Sequence, residues 1–186
     1  MPASANVIQY ATDLSGVVEI PPNASPGSGT VLITVDFGTL EMRVQVSFSG
    51  LLGNTTASHI HCCTATPGST NVMVATQLPN FVGFPLGVTS GTYDHTFDMS
   101  LASSYNPAFV TLKGGISNAF DALVDGMATG NAYYNIHTNL FPGGEIRGLL
   151  HQVPEPGALA LIVAGLGVLV SVMRRREPKA ALPRSR

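Results

Sequence analysis

Residues 40–49 carry the most regular pattern in the chain. Leu40, Met42, Val44, Val46 and Phe48 alternate with Glu41, Arg43, Gln45, Ser47 and Ser49, the period-two signature of a strand with one dry and one wet face. Just before it Val31, Ile33, Val35 and Phe37 alternate with Thr30, Thr34 and Asp36, and the two segments together predict a hairpin. Residues 132–138 and 145–150 predict a second pair, joined by a loop over residues 139–144 that holds Pro142, Gly143 and Gly144. Shorter strand candidates are residues 17–20, closed by Pro21 and Pro22, then 57–63, 72–78 and 93–99, whereas residues 106–112 fit neither pattern. Residues 80–91 read as loop, and Phe81, Phe84 and Leu86 predict that this loop packs on the body. Residues 117–129 predict the single helix: Ala119, Phe120, Leu123, Val124 and Met127 have helical spacing, Ser117 or Asn118 can cap its start and Gly130 its end. Many short strands with one helix predict an all-β domain, an antiparallel Greek-key β-sandwich with one short helix.

The second hairpin is where polar chemistry gathers. If Thr138 faces Gly144, an antiparallel ladder sets His137 opposite Glu145 and Asn135 opposite Arg147, with Ile136 and Ile146 turned the other way. His59 and His61, two apart on a predicted strand, leave one face while Ile60 enters the core. With His137 and Glu145 they make a candidate set of three imidazoles and one carboxylate, suited to zinc or copper. The same residues also fit a purely structural role, in which His59, His61 and His137 bond to Asn135, Glu145 and Thr138, and Arg147 joins Asn135 and Glu145 in a charge network. Both readings stay open at this level. The adjacent Cys62 and Cys63 allow a vicinal disulfide, which a normal Cα spacing of about 3.8 Å would strain, or two structural thiols. Cys63, on the face of His59 and His61, is a third-ranked metal ligand.

Charge narrows the partners. Charged residues make up 11% of the 186, far below the usual quarter. From residue 152 onward there are six basic and two acidic residues, so the net charge of −2 splits into +4 for this tail and −6 for the body. Arg43, Lys113 and Arg147 are the body's only cations, which excludes nucleic acid as a partner. Neither a nucleophile elbow nor a Gly-rich phosphate loop is present, so no enzyme is expected. A glycan platform would need exposed aromatics; Trp is absent, which leaves Tyr93, Tyr105 and Tyr133.

Residues 157–173 are an uncharged apolar run at the short edge of what spans a bilayer, followed at once by Arg174, Arg175 and Arg176. Pro154, Glu155 and Pro156 stand just before it. This order of tripeptide, hydrophobic helix and basic tail resembles the PEP-CTERM sorting signal of Gram-negative bacteria, over residues 152–186. The resemblance implies an exosortase-type membrane protease as partner, transient anchoring in the inner membrane by a transmembrane helix, and cleavage that delivers the body to the cell surface or outside. It also implies a leader for export, but the first residues have neither a basic nor an apolar region, so no signal peptide is expected in residues 1–15.

The pairing of His59-Ile60-His61 with the segments 134–138 and 143–148 resembles the CHRD domain, over roughly residues 17–151. That family implies an all-β extracellular module without established enzymatic activity. The His-x-His bears a faint likeness to copper/zinc superoxide dismutase, whose bridging histidine has no evident counterpart here. The expected organisation is an N-terminal segment (1–15), a CHRD β-sandwich (16–151) and a sorting signal (152–186). The expected role is a non-enzymatic surface or matrix protein, with exopolysaccharide as a candidate partner. The alternative is a zinc or copper protein, redox-active in one version, that uses His59, His61 and His137.

Overall fold

A computed structural model describes residues 6–154. Its strands are β1 (Val7–Ser15), β2 (Ser28–Asp36), β3 (Glu41–Ser49), β4 (Thr55–Cys62), β5 (Gly91–Asp98), β6 (Ala132–Thr138), β7 (Ile146–Leu149) and β8 (His151–Gln152). Two helices, α1 (Pro107–Lys113) and α2 (Ile116–Ala128), lie between β5 and β6. The alternation seen in the sequence is realised in β3, where Met42, Val44, Val46 and Phe48 are buried and Glu41, Arg43, Ser47 and Ser49 exposed. The β2–β3 turn is closed by the Asp36 carboxylate, which accepts the backbone N–H of Gly38 at 2.7 Å and of Thr39 at 3.2 Å.

All eight strands belong to one antiparallel sheet in the order β4-β6-β7-β1-β2-β3-β5, with β8 continuing the line of β7 along β1. The antiparallel all-β character is as expected, but a single curled sheet replaces two separate ones. Its curl is held by the loop between β4 and β5. Phe81, fully buried, places its ring 5.1 Å from Phe97 on one edge strand and 6.0 Å from Tyr134 near the other edge. Phe84 is buried with it, while Leu86 is exposed.

Four elements differ from the sequence expectation. The segment set aside as an N-terminal extension supplies β1, which pairs with β2 over nine residues at the middle of the sheet. Only Tyr10 and Leu14 of β1 are buried, four residues apart, so no clear alternation marks it. Residues 17–20 are no strand: Gly16–Val18 form a 3-10 turn, and Pro21 and Pro22 have no N–H to offer a ladder. Residues 72–78 contribute two isolated bridges, His61 with Val74 and Thr76 with Tyr105. Residues 106–112 become α1, because Asn106 caps Ala108 N at 3.0 Å, Pro107 takes the first helical position and Gly114 ends the helix at φ 80°. The domain therefore has two helices instead of one.

Of the sorting signal only residues 152–154 fall among the described residues, Gln152 within β8; Glu155, Pro156, the apolar run 157–173 and Arg174 to Arg176 lie outside them. Among the described residues no helix is long and apolar enough to cross a membrane.

Helix α2 closes the body by burying Ala119, Phe120, Leu123, Gly126 and Met127. Gly126 lies directly against the sulfurs at the end of β4: a Cβ there would stand 2.5 Å from Cys62 Sγ and 3.4 Å from Cys63 Sγ. Gly126→Ala should therefore destabilise the domain, by roughly 1–3 kcal/mol for overpacking, even though Ala gains about 1 kcal/mol of helix propensity. Urea unfolding checks the sign, and a variant more stable than the parent would show that the helix can shift away at no cost.

Candidate metal centre

Register builds the site. β6 pairs with β4 so that Asn135 faces His59, Tyr133 faces His61 and His137 faces Ala57, and it pairs with β7 so that Asn135 also faces Arg147. Residues opposite one another in an antiparallel ladder share a face. His59, His61, Tyr133, Asn135, His137 and Arg147 therefore project to one side, while Ile60, Tyr134, Ile136 and Ile146 fill the core on the other. The Asn135–Arg147 pairing is as the sequence implied. Unlike the wet face of β3, this polar face is buried, since the segment that follows β4 folds back along it.

The cover satisfies each imidazole once. His59 Nε2 lies 2.6 Å from the carbonyl of Pro79, His61 Nδ1 2.7 Å from that of Val72, and His137 Nδ1 2.8 Å from that of Pro142. A carbonyl can only accept, so each of these nitrogens carries the hydrogen. The other nitrogen of each ring is then a bare lone pair, and none of the three, His59 Nδ1, His61 Nε2 and His137 Nε2, has a partner although all are buried. The rings stand 5.3–5.9 Å apart by centroid, and one ring nitrogen of each residue lies within 4.8 Å of the others. A zinc or copper ion about 2.0–2.1 Å from each nitrogen needs spacings near 3.3 Å, so the rings would have to draw closer than the 4.8 Å limit to share one. An N–H held by a backbone carbonyl is also the usual way a ligating imidazole is oriented.

Burial depresses the basicity of the set. His59 is held at a pKa of about 4 by desolvation, which outweighs the Pro79 carbonyl and is reinforced by repulsion from His137. His61 falls to about 4 in the same way, with His137, His59 and Arg147 all adding repulsion. His137 is lowered too, chiefly by desolvation and further by Arg147. At neutral pH the three are uncharged, the state in which imidazole binds a metal.

Glu145 does not join them. The ladder of β6 and β7 stops at Ile136 and Ile146. Gly144 at φ 128° turns the chain, and the Glu145 carboxylate points away to Ser25 Oγ at 2.6 Å, Leu52 N at 2.6 Å, Gly53 N at 3.1 Å and Thr138 Oγ1 at 2.7 Å. Desolvation opposes its charge, but these four donors together hold its pKa below the usual carboxylate value. The candidate fourth ligand is thus a structural clasp between three loops. The proposed ladder of histidines on Asn135, Glu145 and Thr138 is absent as well: Thr138 bonds Glu145, the histidines bond backbone, and the Asn135 amide meets no partner in hydrogen-bond geometry.

Arg147 finds a carboxylate that the sequence reading missed. Its Nη2 lies 2.8 Å from Glu19 Oε2 and 2.6 Å from Asn71 Oδ1, and its guanidinium sits 3.9 Å above the Tyr133 ring, which stacks at 4.8 Å on His61. Glu19 is buried, and desolvation raises its pKa despite the attraction of Arg147. The one trace of Glu19 in the sequence is its position between Val18 and Ile20, a charge in an apolar run. Gly144 is explained by the same group, because a Cβ there would press within 2.8 Å of the Glu19 carboxylate.

Cys62 and Cys63 are joined in a vicinal disulfide across a cis peptide, with Cα atoms 3.1 Å apart. Both sulfurs lie against the Ala122 carbonyl of α2, so Cys63 is not a ligand candidate.

Fold and site together define an all-β domain that holds three unprotonated imidazole nitrogens in a buried polar face. The CHRD domain profile matches residues 10–150, and the chain belongs to that family. The PEP-CTERM protein-sorting motif matches residues 152–176 and marks the chain for exosortase-mediated sorting to the cell exterior. Neither is an enzyme family. Comparisons with curated proteins and with solved structures give no match.

Two outcomes are expected from this geometry. Glu145→Gln puts an N–H where four donors already point and should cost about 2–3 kcal/mol, read as a lower urea midpoint at pH 7; an unchanged midpoint would show that the loops hold without the charge. The second concerns pH. Above the ordinary histidine value of 6.5, His59 and His61 are neutral in folded and unfolded chains alike. Between 6.5 and about 4 the unfolded imidazoles take up protons that the folded ones refuse, so stability falls across that window and the loss levels off below it. The loss is at most about 3 kcal/mol per histidine. Unfolding of the metal-free chain at pH 7 and 4.5, compared with His59→Gln/His61→Gln, isolates this share. Equal pH dependence in the two would contradict it.

Proposed function

We propose that the protein is a non-enzymatic surface protein whose CHRD domain binds one transition-metal ion, zinc or copper, through His59 Nδ1, His61 Nε2 and His137 Nε2. The observation that carries this reading is the set of three buried, partnerless lone pairs, with each ring already fixed through its other nitrogen by a backbone carbonyl. A buried acceptor without a donor costs roughly 1–3 kcal/mol. Three of them pointing into one space are a heavy penalty for a purely structural network, and a metal ion removes all three at once. The ligand set lacks sulfur and carboxylate, which suits zinc and copper(II) and disfavours calcium or magnesium.

The export context agrees with this role. The 157–173 segment anchors the chain in the inner membrane, the exosortase-type protease cuts near Pro154-Glu155-Pro156, and the metal-bearing body is delivered to the outer surface, where exopolysaccharide is its candidate surrounding. An oxidised Cys62–Cys63 pair fits an oxidising compartment.

Metal analysis of the purified chain after incubation with zinc or copper and removal of excess should give one ion per chain. His59→Ala and His137→Ala should each weaken uptake by at least about a hundredfold, since losing a ligand must cost more than losing an outer-shell partner. Absence of stoichiometric metal in the parent chain would end this reading.

A further inference from the structure

The metal would sit in a site whose charge is not balanced by its ligands. Three neutral imidazoles leave a divalent ion its full +2, and the carboxylate expected to offset it, Glu145, is engaged elsewhere by four donors. Arg147 adds a further positive charge, 1% exposed, and Glu19 offsets Arg147 alone. An uncompensated charge of this size in a buried face is strongly unfavourable.

Beside the triad, the same face holds polar atoms that the protein leaves unused. Asn135 stands in the row between His59 and Arg147 and is 1% exposed; its amide makes no hydrogen bond of good geometry and serves the Glu19 carboxyl only as a weak donor that lowers its pKa. Arg147 Nε and Nη1 are also buried without a partner. Arg147 Nε and Nη1 thus keep unpaired donors on the face that holds the three ligand nitrogens, and the one carboxylate beside them, Glu19, whose Oε1 is also buried without a partner, is already set against the charge of Arg147.

We infer that the metal keeps one coordination position open to a small monovalent anion, which bridges the ion to the Asn135 amide and the Arg147 guanidinium. This rests on the metal reading above and adds to it the class of exogenous ligand. The anion supplies the missing charge and accepts from donors that are otherwise unpaired. A three-histidine ion with a vacant fourth position is the arrangement in which zinc and copper take up an exogenous ligand.

The test uses the full chain in detergent micelles, loaded with cobalt(II) as a spectroscopic stand-in and titrated with sodium azide at pH 7. A saturable one-to-one change in the visible cobalt bands is expected. Asn135 bonds none of the three histidines, so Asn135→Ala should take up cobalt as the parent does while its azide affinity falls about tenfold, the equivalent of about 1.4 kcal/mol. Cobalt uptake with bands indifferent to azide would overturn the open position and leave the metal reading standing. Azide binding that is equal in parent and Asn135→Ala would overturn the placement of the anion. Failure to take up cobalt, zinc or copper would defeat both readings together.

Discussion

A buried imidazole has two nitrogens to satisfy, and in this domain the backbone satisfies one of each. The carbonyls of Pro79, Val72 and Pro142 each take a ring N–H. That constraint fixes the tautomers of His59, His61 and His137 and leaves each of three clustered rings, T-shaped or tilted to one another, with one buried, partnerless lone pair. It also accounts for the course of the chain after β4. That segment runs back along the sheet edge to cover the polar face, and its next turn drives Phe81 into the core between the two edges of the sheet. Site and curl therefore share one covering segment.

The β6–β7 hairpin handles two carboxylates in opposite ways. Glu145 follows the turn at Gly144 and is consumed by four donors from two loops and the end of β6, which keeps it charged and removes it from the histidines. Glu19 arrives from the turn after β1, fits over Gly144 where no Cβ intervenes, and pairs with Arg147 on the histidine side. Arg147 is then held between that carboxylate and the Tyr133 ring, which in turn stacks on His61. Glutamate, arginine, tyrosine and histidine are coupled in a single line across the sheet, although they come from three distant parts of the sequence.

Membership of the CHRD family and the sorting motif place this arrangement on a protein destined for the outside of the cell. The low content of charge fits a body whose strands are stabilised by packing rather than ion pairs. The exposed Arg43–Asp94 pair is the other salt bridge among the described residues, and such pairs contribute little. The polar groups that matter are inside.

Much of the domain was legible in the sequence because period-two alternation is a local property. β2, β3, the Asn135–Arg147 register and the sharing of a face by His59 and His61 follow from spacing alone, and the sorting tail follows from the order of its parts. β1 was not legible, since only Tyr10 and Leu14 are buried and the intervening Ala11, Thr12 and Asp13 blur the period. α1 depended on a single cap, Asn106, whose effect on an ambiguous segment is decided by one hydrogen bond. The histidine triad was half visible: strand spacing gave its members, but the fourth partner was misassigned because a ladder drawn on paper does not know where a glycine turns the chain. That Glu145 leaves, that Glu19 arrives, and that each ring spends one nitrogen on a backbone carbonyl were decided by tertiary structure. Those contacts join residues with no sequence relation, and only the burial of the polar face makes their pairing compulsory.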